Sequence, residues 1–386
     1  MINLLDLFCG AGGLSLGFSE TKKYKIVGAV DNWKPATETF QFNHKVKSDE
    51  VLCANMDEIY DKKSKLFNFI KNIDRVDIVV GGPPCQGMSL AGKRLSDDPR
   101  NLLFKTFVEV VKITKPQCFL MENVTGLLSF ENGKINHAII NSFKEIGYDT
   151  FNTYSPTIMK AEMYGVPQIR RRLFYVGFKN KVNKLVWPPK PLFREYSNKI
   201  INNYNLFDDN EDIPSPYTVS DAISDLPILK AGEGEDEVSY NSLKKIKNEF
   251  QKDMRDWFLC PRKNIEKKLY NHVSPNNTID LIKKILKTDE GGQVDDNYAD
   301  SKKWHSKKPG FTVKALGAGG GSTNRRAFHY DKNQPRGSTV RENARVQSFP
   351  DWFRFLSSKT NQMSLVGNSV PPKLAFNIAK SLSKVF

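Results

Sequence analysis

Ile2-Asn3-Leu4-Leu5-Asp6-Leu7 is a short, almost continuous apolar run that passes without a break into Phe8-Cys9-Gly10-Ala11-Gly12-Gly13 and then into a stretch of helical periodicity. Strand, glycine turn and helix in that order bring a ligand against a helix N-terminus, where backbone N–H groups point outward and glycine permits close approach. The pattern repeats along the chain. Apolar, β-rich runs at 26–30, 76–80, 118–121 and 173–176 read as further strands, and helix-like stretches such as 102–112 and 138–146 lie between them. Near-continuous apolar strands alternating with helices predict an α/β layer fold, a Rossmann-like parallel sheet covered on both faces.

The chain has 386 residues, enough for one large or two medium domains, and 39% of them are hydrophobic, with 25 Phe, so a real core is expected. Its texture changes at Trp187-Pro188-Pro189-Lys190-Pro191, a stiff connector at which we place a boundary. The expected organisation is a catalytic domain at 1–186, a second, smaller and irregular domain with its hinge at 187–344, and a final stretch, 345–386, that completes the first domain and ends in a helix at 373–386.

Lys and Arg outnumber Asp and Glu by 58 to 43, a net charge of +15. Residues 241–340 alone hold 21 basic against 11 acidic side chains, which favours a polyanionic partner facing this part of the chain. No apolar run approaches the roughly 18 residues of a membrane span, so a cytoplasmic protein is expected. The five cysteines, Cys9, Cys53, Cys85, Cys118 and Cys260, form no CxxC pair and no spacing suited to zinc, and their odd number argues against a disulfide framework. No metal is expected, and any special cysteine acts alone.

The second apolar run ends at Asp31, about twenty residues beyond Gly12, where an acid accepts hydrogen bonds from a ribose diol, and Asp57 lies at a later suitable point. With the glycine turn they suggest an adenosine-containing cofactor, either NAD or S-adenosylmethionine. The choice comes from Gly81-Gly82-Pro83-Pro84-Cys85-Gln86-Gly87, which follows a strand and so sets Cys85 at the carboxyl edge of the sheet on a rigid loop, two prolines fixing φ before the thiol. Another strand ends in Glu122-Asn123-Val124 and puts a carboxyl group at the same edge. A thiol and an acid there make a nucleophile and a proton donor. Gln168-Ile169-Arg170-Arg171-Arg172 leads into the run at 173–176, and alternation sends Arg170 and Arg172 to one side and Arg171 to the other, arginines suited to phosphates or a carbonyl acceptor.

These motifs, taken with Arg341-Glu342-Asn343-Ala344-Arg345-Val346-Gln347-Ser348-Phe349-Pro350 and Gly367-Asn368-Ser369-Val370-Pro371-Pro372, closely resemble the bacterial DNA (cytosine-5)-methyltransferases. The likeness covers residues 1 to about 180 and about 340 to 386 in the family's order, while the middle resembles the family only as a variable target recognition domain. The resemblance implies methyl transfer from S-adenosylmethionine to C5 of a cytosine flipped out of double-stranded DNA, leaving S-adenosylhomocysteine. It implies that Cys85 attacks C6 and Glu122 engages N3, with Arg170 and Arg172 in the catalytic group; Arg172 is the candidate for ionising the thiol and for a second role at cytosine O2. Phe8, Gly10, Gly12, Asp31, Asn32, Asp57, Leu103, Asn368 and Ser369 are the implied cofactor contacts. Asp31 stands where the family usually has Glu. Gln86, Gln168, Arg325 and Arg326 are the substrate-binding candidates, the last two following Gly317-Ala318-Gly319-Gly320-Gly321, where arginine suits guanine in the major groove. DNA held in a cleft between two domains, monomeric action, and a restriction endonuclease that cuts the same site without forming a stable complex are further expectations of the family.

Three other readings are open on the residues. A tRNA substrate keeps the cysteine chemistry, but relatives of that kind have a shorter recognition region than the roughly 150 residues at 190–340. A catalytically silent DNA-binding scaffold has no use for Cys85 and Glu122 together. A nicotinamide oxidoreductase accounts for the glycine turn and Asp31 and leaves the Pro-Pro-Cys loop without a purpose.

Overall fold

The computed structural model describes residues 1–84, 103–150, 156–182, 185–197, 213–257, 268–297, 301–315 and 327–386. It divides into two compact units, Met1–Met159 with Arg171–Lys190 and Ala375–Phe386, and Lys160–Arg170 with Pro191–Leu374. No helix among the described residues is long and apolar enough to cross a membrane.

The first unit runs β1 (Ile2–Leu7), α1 (Gly13–Glu20), β2 (Tyr24–Asp31), α2 (Lys34–Asn43), β3 (Val51–Cys53), α3 (Lys65–Lys71), β4 (Ile78–Gly81), α4 (Phe104–Thr114), β5 (Cys118–Asn123), α5 (Lys134–Glu145), β6 (Asp149–Thr150), β7 (Thr157–Lys160) and β8 (Arg171–Phe178). Its sheet has the order β3-β2-β1-β4-β5-β8-β6, with β7 beside β8. The five strands from β3 to β5 are parallel. The chain steps outward from β1 through β2 to β3 and then restarts on the other side with β4, which makes the β1/β4 carboxyl edge a switch point, the usual ligand position in such sheets.

One strand departs from the parallel expectation. The α5 crossover sets β6 in the direction of β5, and β8 then inserts between the two, antiparallel to both. Pairing of Glu122 with Phe174 and of Asn123 with Leu173 brings the start of β8 to the carboxyl end of β5. That reversal builds the site described below.

One face of the sheet buries Leu5, Leu7, Val30, Val79, Phe119 and Met121 against Phe104, Phe107, Val111 and Phe143 from α4 and α5. The rings of Phe119 and Phe143 stack at 3.7 Å, with Phe107 edge-on to Phe143 at 6.1 Å. Helix α4 presents Phe104, Phe107, Val108, Val110 and Val111 to this core, and it stops where Lys115 turns left-handed (φ 48) ahead of Pro116. Each such side chain contributes about 1.5–3 kcal/mol by leaving water. The C-terminal helix, Pro372–Leu382, supplies Ala379, whose carbonyl accepts from Tyr24 Oη at 3.0 Å.

The second unit is built from short pieces: α6 (Val219–Ile223), β9 (Gly234–Ser239), α7 (Glu249–Lys252), β10 (Lys268–Val273), α8 (Ile279–Lys287), α9 (Val340–Val346) and α10 (Lys359–Asn368), with β9 and β10 paired antiparallel. At its centre all seven residues of α9 are buried, four of them polar or charged. Their charges are satisfied by ion partners or by backbone carbonyls. Arg345 forks onto Asp351 at 2.5 and 2.7 Å and reaches Asp225 at 3.1 Å; Arg336 forks onto Glu342 at 3.0 and 2.6 Å; Arg341 donates to the carbonyls of Tyr270 and Pro350, each at 2.7 Å, and of Phe353. Buried ions of this kind hold together while every partner is present.

Candidate active site

The glycine turn leaves β1 through Phe8 (φ 54), Gly10 (φ 54) and Gly12 (φ 89), left-handed positions of which the two glycines take theirs without strain. Among the described residues, a Cβ on Gly10 would meet nothing within 4 Å, whereas a Cβ on Gly12 would sit 2.1 Å from His44 Nε2 and 2.7 Å from Phe40 Cδ2. Among the described residues the turn is thus bare at Gly10 and packed at Gly12. His44 stacks on Phe40 at 4.2 Å, and burial lowers its pKa to about 4, so the ring against the turn is neutral. Among the described residues, helix α1 begins without a side-chain cap, and the N–H groups of a first helical turn, which lack intrahelical partners, suit an anionic oxygen.

Asp31, at the end of β2, fastens this turn. Its Oδ2 accepts from Gly10 N at 2.9 Å and its Oδ1 from Trp33 N at 2.9 Å. Burial raises the pKa of Asp31, and the N–H groups of Gly10, Trp33 and Asn32 oppose the rise. With three backbone N–H groups facing a carboxylate of about four acceptor sites, about one site remains for a diol. Asn32 is exposed beside it. Asp57 is exposed on the turn Met56–Tyr60, beyond the end of β3, and Leu103 is half-buried at the start of α4.

At the same edge, Glu122 is the penultimate residue of β5 and meets the start of β8: Arg172 Nε lies 2.9 Å from Glu122 Oε1, both side chains largely shielded at 16% and 13% exposure. Burial lowers the Arg172 pKa and the Glu122 carboxylate opposes part of the fall; a guanidinium, whose ordinary pKa is so high, stays charged beside the acid. The loop after β4 is tied to this pair. A Cβ on Gly82 would lie 2.9 Å from Glu122 Oε2, and Asn123 Nδ2 donates to the Pro83 carbonyl at 3.3 Å. Cys85 and Gln86 lie outside the described residues, two and three positions beyond that anchored carbonyl. Arg325 and Arg326 also lie outside them.

The other arginines of the 168–172 stretch have separate surroundings. Arg171 is exposed. Arg170 and Gln168, both buried, hydrogen-bond backbone of the second unit, Arg170 reaching the carbonyls of Val313, Gly367 and Ser369. Asn368 is the exposed last residue of α10, and Ser369 is buried, its hydroxyl donating to Leu365 O at 2.7 Å. Sequence reasoning missed two residues beneath the turn. Asp6, an acid inside an apolar run, carried a signal; His44, a lone histidine, carried none.

A family model described as C-5 cytosine-specific DNA methylase matches residues 2–384. The chain is 33% identical over 399 residues to the type II methyltransferase M1.HphI of Haemophilus parahaemolyticus, covering 100% of this chain and 87% of that one. It is 32% identical over 413 residues to M.DdeI of Desulfomicrobium norvegicum, covering 100% and 89%. Among solved structures, a methyltransferase encoded within an E. coli prophage superposes with a TM-score of 0.77 at 26% identity, covering 100% of this chain and 99% of that one. The S. pombe Dnmt2 methyltransferase shares the fold, with a TM-score of 0.55 at 17% identity and coverage of 100% and 99%.

Proposed function

The chain belongs to the C-5 cytosine-specific DNA methylase family, as an enzyme of the type II restriction-modification kind, and on that premise we propose that it methylates C5 of a cytosine flipped out of a specific double-stranded DNA sequence, with S-adenosylmethionine as donor. The observation that carries the reading is the shielded Glu122–Arg172 pair at the carboxyl edge, in contact range of the glycine that opens the Pro-Pro-Cys loop.

The residues present fit the cofactor. The space at Gly10, the start of α1 without a side-chain cap and the remaining acceptor site of Asp31 suit an amino-acid carboxylate and a ribose, with Phe8, Gly12, Asn32, Asp57, Leu103, Asn368 and Ser369 as further contacts. When bound, S-adenosylmethionine supplies an electrophilic methyl group. Glu122 holds a proton at cytosine N3, and Arg172 keeps its carboxyl in place and reaches O2. Cys85 adds its sulfur to C6, which makes C5 the nucleophile; once C5 is methylated, loss of its proton and departure of the thiolate restore the ring. A free thiol is only about 3% ionised at pH 7, so a neighbouring cation speeds the addition. Flipping costs a few kcal/mol of unstacking and unpairing, which phosphate contacts by the lysine-rich 241–340 region offset, while Gln86, Arg325 and Arg326 contact the target DNA. The enzyme acts as a monomer, alongside an endonuclease that cuts the same site.

The test is transfer of radiolabelled methyl from S-adenosylmethionine to double-stranded DNA, with tRNA in parallel and Cys85→Ala as control. Label in DNA as 5-methylcytosine, absent in the variant, is the expected result. Label in tRNA alone overturns the substrate, and label retained by the variant overturns the nucleophile.

A further inference from the structure

Gln168, Ile169 and Arg170 lie where three other segments of the second unit meet. Ile169 N donates to Gly310 O at 2.7 Å, Thr312 Oγ1 donates to Ile169 O at 2.7 Å, and Gln168 Oε1 accepts from Val313 N at 3.1 Å. Gln168 Nε2 then reaches Gln347 Oε1 at 2.5 Å and Val346 O at 3.3 Å. Arg170 spans further: Nη1 donates to Val313 O at 3.0 Å, and Nη2 to Gly367 O at 3.0 Å and Ser369 O at 3.1 Å. Gln347 Nε2 completes the lattice with bonds to Val366 O at 3.0 Å and Ser369 O at 2.8 Å.

Two features make this a device for position. The Ser369 carbonyl receives donors from both Arg170 and Gln347, so its place is set from two directions. Gly367 is pressed against the 314–315 backbone, where a Cβ would come within 2.3 Å of Lys314 C and of Ala315 N. A planar guanidinium with donors at fixed angles holds three carbonyls at once; the ammonium of lysine, a point charge on a flexible stem, does not reproduce that geometry.

We propose that Arg170 and Gln168 are positioning residues, which through Gln347 fix the Gly367–Ser369 backbone against Val313–Ala315 and thereby set the enzyme's affinity for its cofactor. The inference rests on the reading of Asn368 and Ser369 as cofactor contacts. It departs from the expectation that Arg170 touches the reacting base and Gln168 the substrate.

The experiment uses the full chain and titrates S-adenosylhomocysteine calorimetrically without DNA, then measures steady-state methyl transfer. Arg170→Lys is expected to raise the Kd for S-adenosylhomocysteine and the KM for S-adenosylmethionine by about tenfold, the loss of one charge-assisted hydrogen bond, while kcat changes by less than KM does. Gln347→Met is expected to act in the same direction, and the double variant to lose less than the product of the two, since both act on the Ser369 carbonyl. If Arg170→Lys does not fold, Gln347→Met decides by the same titration. A fall in kcat with an unchanged Kd overturns the proposal in favour of direct contact with substrate. A lowered melting temperature with an unchanged Kd in the folded protein overturns it in favour of a purely structural role. An unchanged Kd in Asn368→Ala overturns the reading of the segment on which the proposal rests, and failure of the wild type to bind S-adenosylhomocysteine overturns the proposed function itself.

Discussion

Asp6 is an acid in the middle of an apolar strand, buried beneath the glycine turn, with Oδ2 accepting from Ser15 Oγ at 2.6 Å. Burial pushes its pKa up to about 7, the Ser15 hydroxyl works against the rise, and the charge of Asp31 adds to it. A folded-state pKa above the ordinary 3.8 favours the neutral acid in the folded chain. The stability due to Asp6 is therefore full below about pH 4 and is lost as pH rises through 7, a change on the order of 4 kcal/mol. Asp6→Asn should flatten urea-unfolding stability between pH 4 and 8; an unchanged slope refutes this assignment. At the reacting edge, Glu122→Gln should lower the methyl-transfer rate by about 10²–10⁴-fold, the usual share of a positioned proton donor, with DNA affinity in a filter-binding assay changed far less. A rate within tenfold of wild type removes Glu122 from the mechanism. Both acids stand out in the chain, Asp6 by interrupting an apolar run and Glu122 by ending one. Their surroundings do not, because those come from Ser15 and from Arg172, the latter fifty residues further along the chain.

Among the elements, β8 and α9 carry the structure's own decisions. β8 was legible as a strand from its apolar run, but its direction was not. Periodicity reports which residues are buried and says nothing of whether a strand enters a sheet from one edge or the other. Helix α9 reads as polar, Arg341-Glu342-Asn343-Ala344-Arg345, yet it is wholly buried: Glu342 and Arg345 find ion partners, and Arg341 finds backbone carbonyls, contributed from elsewhere in its unit. Arg336→Met should cost about 3–5 kcal/mol, since it strands Glu342 in the interior. Urea unfolding of Arg336→Met beside Arg336→Met/Glu342→Leu measures this, and the double variant should be the more stable. Beside the same helix, burial lowers the pKa of His272 and of His329 to about 4. Depressed values mean that their contribution is present above about 6.5 and is lost as pH falls through 4. Replacing His329 with Gln should weaken the acid-induced loss of stability over that window, read by intrinsic fluorescence against pH; an identical acid midpoint contradicts it.

For the molecule as a whole, a net charge of +15 with its excess concentrated at 241–340 sets the expected response to salt. A protein that neutralises about six phosphates loses on the order of 10³-fold in DNA affinity between 50 and 200 mM salt. A shallow dependence in filter binding with a duplex of random sequence contradicts a polyanion-facing surface. The alternation of strand and helix, the glycine turn and the acid that follows the apolar run of β5 were determined by the sequence itself, because apolar period, left-handed turns and the ends of apolar runs are local properties of the chain. The tertiary structure alone decided the reversal of β8, the pairing of Arg172 with Glu122, the neutral His44 behind Gly12 and the commitment of Arg170 to three carbonyls. Strand alternation sorts neighbouring side chains only within one continuous strand, and Arg170 lies just before β8 begins. Its partners are 143 to 199 residues away, a distance over which burial and hydrogen-bond geometry act and sequence spacing does not.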